Sequence, residues 1–155
     1  MNSDRHARQD ATIALINANY QLPITELLDR VTAALHENFS HYTGVYIYLL
    51  EGETLVLNTF RGRPTEHTRI PIGAGICGRA ARIKQTVTVD DVTRDAEYIA
   101  CSLETRSEIV VPIMRGDRVF GEIDIDSDVP AAFRADDQKF LERVADALAH
   151  QFALN

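Results

Sequence analysis

Apolar residues recur along the chain at two spacings. In "LPITELLDRVTAALHENFSHY", Leu27, Leu28, Val31, Leu35 and Phe39 stand three to four residues apart, the stripe of an amphipathic helix. Pro23 suits the first turn of that helix, where a backbone N–H has no intrahelical partner to lose. The mildly amphipathic "ATIALINANY" before it predicts another helix, and in "ADDQKFLERVADALAHQF" Phe140, Val144, Leu148 and Phe152 repeat every four residues with Leu141 and Ala145 beside them. Between these helices the period shortens. "GVYIYLL" and "TLVLNTF" flank the turn-like "EGE", and "EIVVPIM" and "VFGEIDID" flank "RGDR", so two hairpins are predicted. "RGRPTEHTRIPIGAG" reads as a loop with a short strand. "AGICGRAARIKQ" reads as a short helix opened by Gly73 and Gly75, "TVTVDD" as a strand, and "VTRDAEYIACSLETRS" as a loop. The order predicts an α+β fold, a central, mainly antiparallel sheet with helices on one face. A chain of 155 residues without internal repeats fits a single domain over 1–155, with a helical arm at 1–20 and a core at 23–155.

Alternation in "VFGEIDID" sets Val119, Gly121, Ile123 and Ile125 on one face, and Phe120, Glu122, Asp124 and Asp126 on the other. Two readings follow. The acidic face looks into solvent, as is usual for an antiparallel sheet covered on one side. Alternatively it lines a pocket, where neighbouring carboxylates bind a cation or share a proton because they cannot both ionise cheaply. Pairing across "RGDR" brings Glu108 close to the level of Asp124 and Asp126, and Cys101 enters from the loop just before Glu108.

Composition narrows the partners. A formal net charge of -7 argues against binding nucleic acid, which needs clustered Lys and Arg. No apolar run approaches the roughly 20 residues that span a bilayer, and "MNSDRHARQD" is too polar for a signal peptide. A cytoplasmic location without membrane contact is expected, where thiols stay reduced. Cys77, in "GICGRAA", reads as a small buried hydrophobe. Cys101 has polar neighbours, and Arg106 among them would favour the thiolate. A zinc site from Cys77, Cys101 and His67 lacks both C-x-x-C spacing and a fourth ligand, so no metal is expected. A Cys–His hydrolase would depend on His67, since His6, His36, His41 and His150 fall on predicted helices or the N-terminal tail. "GAGICG" lacks the Lys-Ser or Lys-Thr of a phosphate-binding loop, and no cofactor is implied.

The segments "GVYIYLL", "TRIPIGAGICGRAA", "VDDV", "YIAC", "RSEIVVPI" and "GEIDIDS" resemble GAF domains, specifically the group containing the free methionine-(R)-sulfoxide reductases. The resemblance runs from about residue 40 to the end of the chain. It implies that Cys101 is the catalytic thiol and Cys77 a resolving cysteine. It also implies that Glu108, Asp124 and Asp126 bind substrate, with Tyr42 and Tyr46 as aromatics of the pocket. Three positions depart from the family: His67 stands where some members carry a further cysteine, Tyr42 where a tryptophan lines the cage, and Tyr98 in place of a histidine near Cys101. The implied activity is thiol-dependent reduction of free methionine sulfoxide, with a sulfenic acid on Cys101, resolution by Cys77 and recycling by a thioredoxin-type dithiol. The alternative is a non-catalytic sensor that binds a small amino-acid-like ligand or reports oxidation through Cys101. A homodimer through the terminal helices is also implied by the resemblance.

Overall fold

The two hairpins join edge to edge. In the computed structural model, which describes residues 2–100 and 102–154, the first hairpin is β1 (Gly44–Glu51) and β2 (Thr54–Arg61), and the second is β5 (Ser107–Arg115) and β6 (Arg118–Ser127). Their inner strands, β1 and β6, pair from Gly44–Asp126 to Leu49–Gly121, which satisfies two edges that separate hairpins would leave open. The short strands β3 (Arg69–Pro71) and β4 (Val87–Val89) flank them. The sheet order is β3-β2-β1-β6-β5-β4 and each neighbouring pair is antiparallel.

Helices α1 (Asn2–Ala18), α2 (Ile24–Asn38) and α4 (Ala135–Leu154) lie on one face, and α3 (Gly75–Ile83) lies on the other. The apolar stripes of α2 and α4 meet Ile47, Ile109, Ile123 and Ile125 from the sheet in a fully buried core. The expected α+β layering is therefore present, with both sheet faces covered. Among the described residues no helix is long and apolar enough to cross a membrane.

The polar start of the chain belongs to α1, several residues ahead of the amphipathic stretch that predicts a helix. Charge holds it there. Gln9 Nε2 donates to Asp136 Oδ2 at 3.0 Å, and Arg5 Nη2 approaches Asp137 Oδ1 at 2.7 Å. Asp137, buried in the first turn of α4, also accepts from His41 Nε2 (2.9 Å), Tyr42 Oη (2.8 Å) and the Arg134 N–H (3.0 Å). Burial alone would raise its pKa, but the donors from His41, Arg134 and Tyr42 outweigh it and bring the pKa down to about 2.

Strict alternation along β6 fails at one point. The register shifts between Ile113–Gly121 and Met114–Val119, leaving Phe120 as the extra residue of a β-bulge. Phe120 thereby leaves the acidic face, where alternation assigns it, and stacks on Phe152 of α4 at 5.1 Å. At Gly121 the backbones of β1 and β6 come close enough that a Cβ would sit 2.1 Å from the Tyr48 carbonyl oxygen.

Gly121→Ala is expected to destabilise the protein by about 1–3 kcal/mol through forced strand separation, read as a lower urea midpoint. Asp137→Ala is expected to cost about 3 kcal/mol, because it leaves Arg5 and His41 without their buried acceptor. Asp137 has a folded pKa below its unfolded one, so its contribution is present above about pH 4 and is lost as pH falls through about 2. Stability measured across that window should fall more steeply in the wild type than in Asp137→Ala.

Candidate functional site

The second face of β5 and β6 is acidic and closed to water. Glu108 faces Asp126 across the hairpin, Val110 faces Asp124, and Pro112 faces Glu122. The side chains of Glu108, Glu122, Asp124 and Asp126 are only 5, 0, 7 and 6% exposed. The solvent-facing reading of this strand is overturned: α3 lies across the sheet here and covers what would otherwise be a wet face. Glycine-led entry into α3 turns Ile76 and Cys77 down towards the strands, while Ala80 and Ala81 keep the helix close.

Cys77 is buried at the centre of this cluster. Its Sγ and carboxylate oxygens of Glu108 and Asp124 all lie within 4.8 Å of one another. Burial, then the charges of Asp124, Glu122 and Glu108, push the Cys77 thiol pKa well above its ordinary value. Asp124 is raised by burial, against hydrogen bonds from Glu108 and Cys77. A hydrogen bond between two carboxyl groups needs a proton between them, so Glu108 and Asp124 act as a pair. Burial also raises Asp126 well above the carboxylate range, with the Asp124 charge adding to the rise and the Arg63 guanidinium opposing it. Glu122 rises for the same two reasons, burial and Asp124, and neither of its carboxyl oxygens has a hydrogen-bond partner among the described residues.

A narrow cleft opens beside the cluster. It is lined by Cys77 of α3, by Glu108, Asp124, Asp126 and Tyr48 of the sheet, and by His67, Tyr98 and Ile99 of the loops. The loop side is tied in place. Arg79 of α3 pairs with Asp95 (2.7 Å) and Glu97 (3.2 Å), and Arg82 pairs with Glu97 (3.0 Å), fastening the loop after the 3-10 turn Val92–Arg94 to the helix that holds Cys77. Ile99 rests on Gly75, whose φ of +69° suits glycine and where a Cβ would lie 2.8 Å from Ile99 Cδ1. The His67 ring Nε2 donates to the Ala100 carbonyl at 3.2 Å, while the His67 carbonyl accepts from Tyr48 Oη at 2.8 Å. Cys101 itself lies outside the described residues; Tyr98 and Ile99, shortly before it in the chain, line the cleft.

The remaining expected site residues divide. Tyr46 lies on the cleft side of the sheet opposite Asp124, where it stacks on Phe60 at 5.9 Å and donates to the Arg63 carbonyl at 2.6 Å. It buttresses the wall behind the cleft. Tyr42 is displaced from the expected cage. It precedes β1, points into the helix-side core, stacks on Phe39 at 5.0 Å and spends its hydroxyl on Asp137. Arg106 is exposed, with its charge felt by Asp91 and Asp128. Two residues outside the expected site set belong here. Tyr48 lines the cleft, and its signal was its place two residues after Tyr46 on the same strand face. Glu122 was legible by the same alternation with Asp124.

Comparison with known proteins agrees with this geometry. The GAF domain family matches residues 23–152. GAF domain-containing protein A of Dictyostelium discoideum is 41% identical over 118 residues, covering 76% of this chain and 73% of that protein. The free methionine-R-sulfoxide reductase of Escherichia coli is 36% identical over 117 residues, covering 76% of this chain and 70% of that one. The X-ray structure of the free methionine-R-sulfoxide reductase from Neisseria meningitidis in complex with its substrate superposes with a TM-score of 0.86 at 34% identity, over 94% of this chain and 86% of that one. The chain belongs to the GAF domain family and, within it, resembles the free methionine-R-sulfoxide reductases.

Proposed function

We propose that this protein reduces free methionine-(R)-sulfoxide with Cys101 as the nucleophile and Cys77 as the resolving thiol. The observation that carries this reading is the buried wall in which Cys77 meets Glu108 and Asp124 beside Asp126, in a chain similar to named reductases. A cluster of carboxyl groups that share protons offers both species the substrate requires. An ionised carboxylate holds the ammonium of a free amino acid, and a protonated carboxyl donates to the sulfoxide oxygen.

The Cys101 thiolate attacks the sulfoxide sulfur, the S–O bond breaks and the oxygen leaves as water with two protons supplied by the cluster. Water then attacks Cys101 Sγ, returns one proton to the cluster and breaks the sulfur–sulfur bond, so methionine departs and Cys101 becomes a sulfenic acid, a net transfer of one oxygen. The other proton balances the one the thiol lost on ionising. The Cys77 thiol then attacks the sulfenic sulfur, forming a disulfide and releasing water. The high pKa of Cys77 makes it a poor first nucleophile and gives a neighbouring carboxylate, Asp124 or Glu122, the task of taking its proton at this step. A thioredoxin-type dithiol reduces the disulfide by exchange, returning both thiols and keeping two electrons balanced per sulfoxide. The reducing cytoplasm supplies such a dithiol, and a homodimer through the terminal helices completes the proposed assembly.

Coupled turnover with racemic free methionine sulfoxide, thioredoxin, its reductase and NADPH tests the reading. Cys101→Ser should abolish NADPH consumption. Cys77→Ser should release roughly one methionine per chain in a first turnover and then stall. Ligand binding without wild-type turnover would sink the reductase reading and favour a sensor. Glu108→Gln and Asp124→Asn should each lower kcat/KM by about 10–100-fold, the loss of one charge-assisted hydrogen bond. At neutral pH, iodoacetamide should label Cys101 well before Cys77, and Cys77 labelling should quicken only as pH rises towards its raised pKa. Peptide mapping by mass spectrometry reads the order, and early modification of Cys77 would contradict its assignment as the resolving thiol.

A further inference from the structure

The floor of the cleft sets a thiol among oxygen donors, a combination that can also hold a metal ion. Cys77 Sγ and one carboxylate oxygen each from Glu108 and Asp124 lie within 4.8 Å of one another. In a tetrahedral zinc site, bonds of about 2.3 Å to sulfur and about 2.1 Å to oxygen set the donors about 3.5 Å apart. The three donors therefore lie within about 1.3 Å of the separations such a site needs. The donors come from three elements, α3, β5 and β6, which are already packed together.

A second, independent feature points to a cation. Glu122 is fully buried next to this trio with the Cys77 thiol as a neighbour that favours its ionised form, yet neither of its oxygens has a partner at hydrogen-bonding geometry among the described residues. Asp124, which shares hydrogen bonds with Glu108 and Cys77, still has one oxygen, Oδ1, without a partner at hydrogen-bonding geometry among the described residues. Among the described residues no arginine or lysine is ion-paired with Glu122 or Asp124; Arg63 pairs with Asp128, beyond Asp126 at the other end of the row. Buried carboxyl oxygens left without donors are costly, and a divalent cation satisfies several at once.

We propose that Cys77, Glu108 and Asp124 form a binding site for a thiophilic divalent cation such as Zn²⁺, with Glu122 behind them as a further oxygen donor. Binding exchanges the Cys77 S–H bond for a sulfur–metal bond and releases the proton to solvent, with no change in oxidation state. This site differs from the Cys77, Cys101 and His67 set considered for zinc from the sequence, because the His67 ring is engaged with Ala100 and the oxygen donors come from the sheet. Where the reductase reading holds, an occupied site also withholds Cys77 from disulfide formation.

Reduced protein titrated with Cd²⁺ under anaerobic conditions, without sulfoxide or reductant, tests the site apart from any activity. The expected result is one Cd²⁺ per chain with a thiolate-to-metal charge-transfer band, displaced by Zn²⁺. The band should persist in Cys101→Ser and vanish in Cys77→Ser. Asp124→Asn and Glu108→Gln, which keep the thiol, should weaken binding at least roughly tenfold while circular dichroism reports an intact fold. Absence of the band in the wild type, its loss in Cys101→Ser, or unchanged affinity in both carboxylate variants would overturn the proposal.

Discussion

Carboxylates on one face of β5 and β6 are withdrawn from water, and the rest of the site follows from that constraint. A buried carboxylate without a partner cation must hold a proton, share one with a neighbour or meet a positive ligand. Glu108 and Asp124 share a hydrogen bond, Arg63 pairs with Asp128 and acts on Asp126 through its charge, and among the described residues Glu122 has no partner at hydrogen-bonding geometry. The cluster is therefore both a store of protons and a region of negative potential, the two properties that an amino-acid sulfoxide or a divalent cation would draw on.

The fold sustains this by giving each sheet face a separate cover. On one side α2 and α4 bury the aliphatic residues of β1, β5 and β6, and supply the hydrophobic stabilisation. That leaves the opposite face free to carry groups that would weaken an ordinary core. Helix α3 then serves twice. Its inner side sets Cys77 among the carboxylates, while Arg79 and Arg82 hold the loop that leads to Cys101 through Asp95 and Glu97. One short helix thus places Cys77 and anchors the loop that precedes residue 101.

Much of this was legible before any coordinates. The periods of α2, α4 and the two hairpins, and the register that levels Glu108 with Asp126, follow from local repetition and a short turn. The bulge at Phe120 was not legible, because a single extra residue leaves no mark in an apolar pattern and flips one side chain to the far face. The polar start of α1 lacked an apolar stripe, and its polar contacts to Asp136 and Asp137 on α4, from Arg5 and Gln9, join it to the fold. Tyr42 went astray for a similar reason: its position before β1 did not disclose which side of the sheet it would enter.

The sequence by itself determined the elements, the acidic strand face and the two thiols, since these depend on residue type and on spacing within a few positions. Only the tertiary structure decided whether that acidic face is wet or buried, because the cover comes from α3, distant in the chain from β6. It also decided which groups share protons and which aromatic belongs to the cleft, Tyr48 in place of Tyr42. Desolvation and proton sharing act through space, and their strength is set by what packs on top.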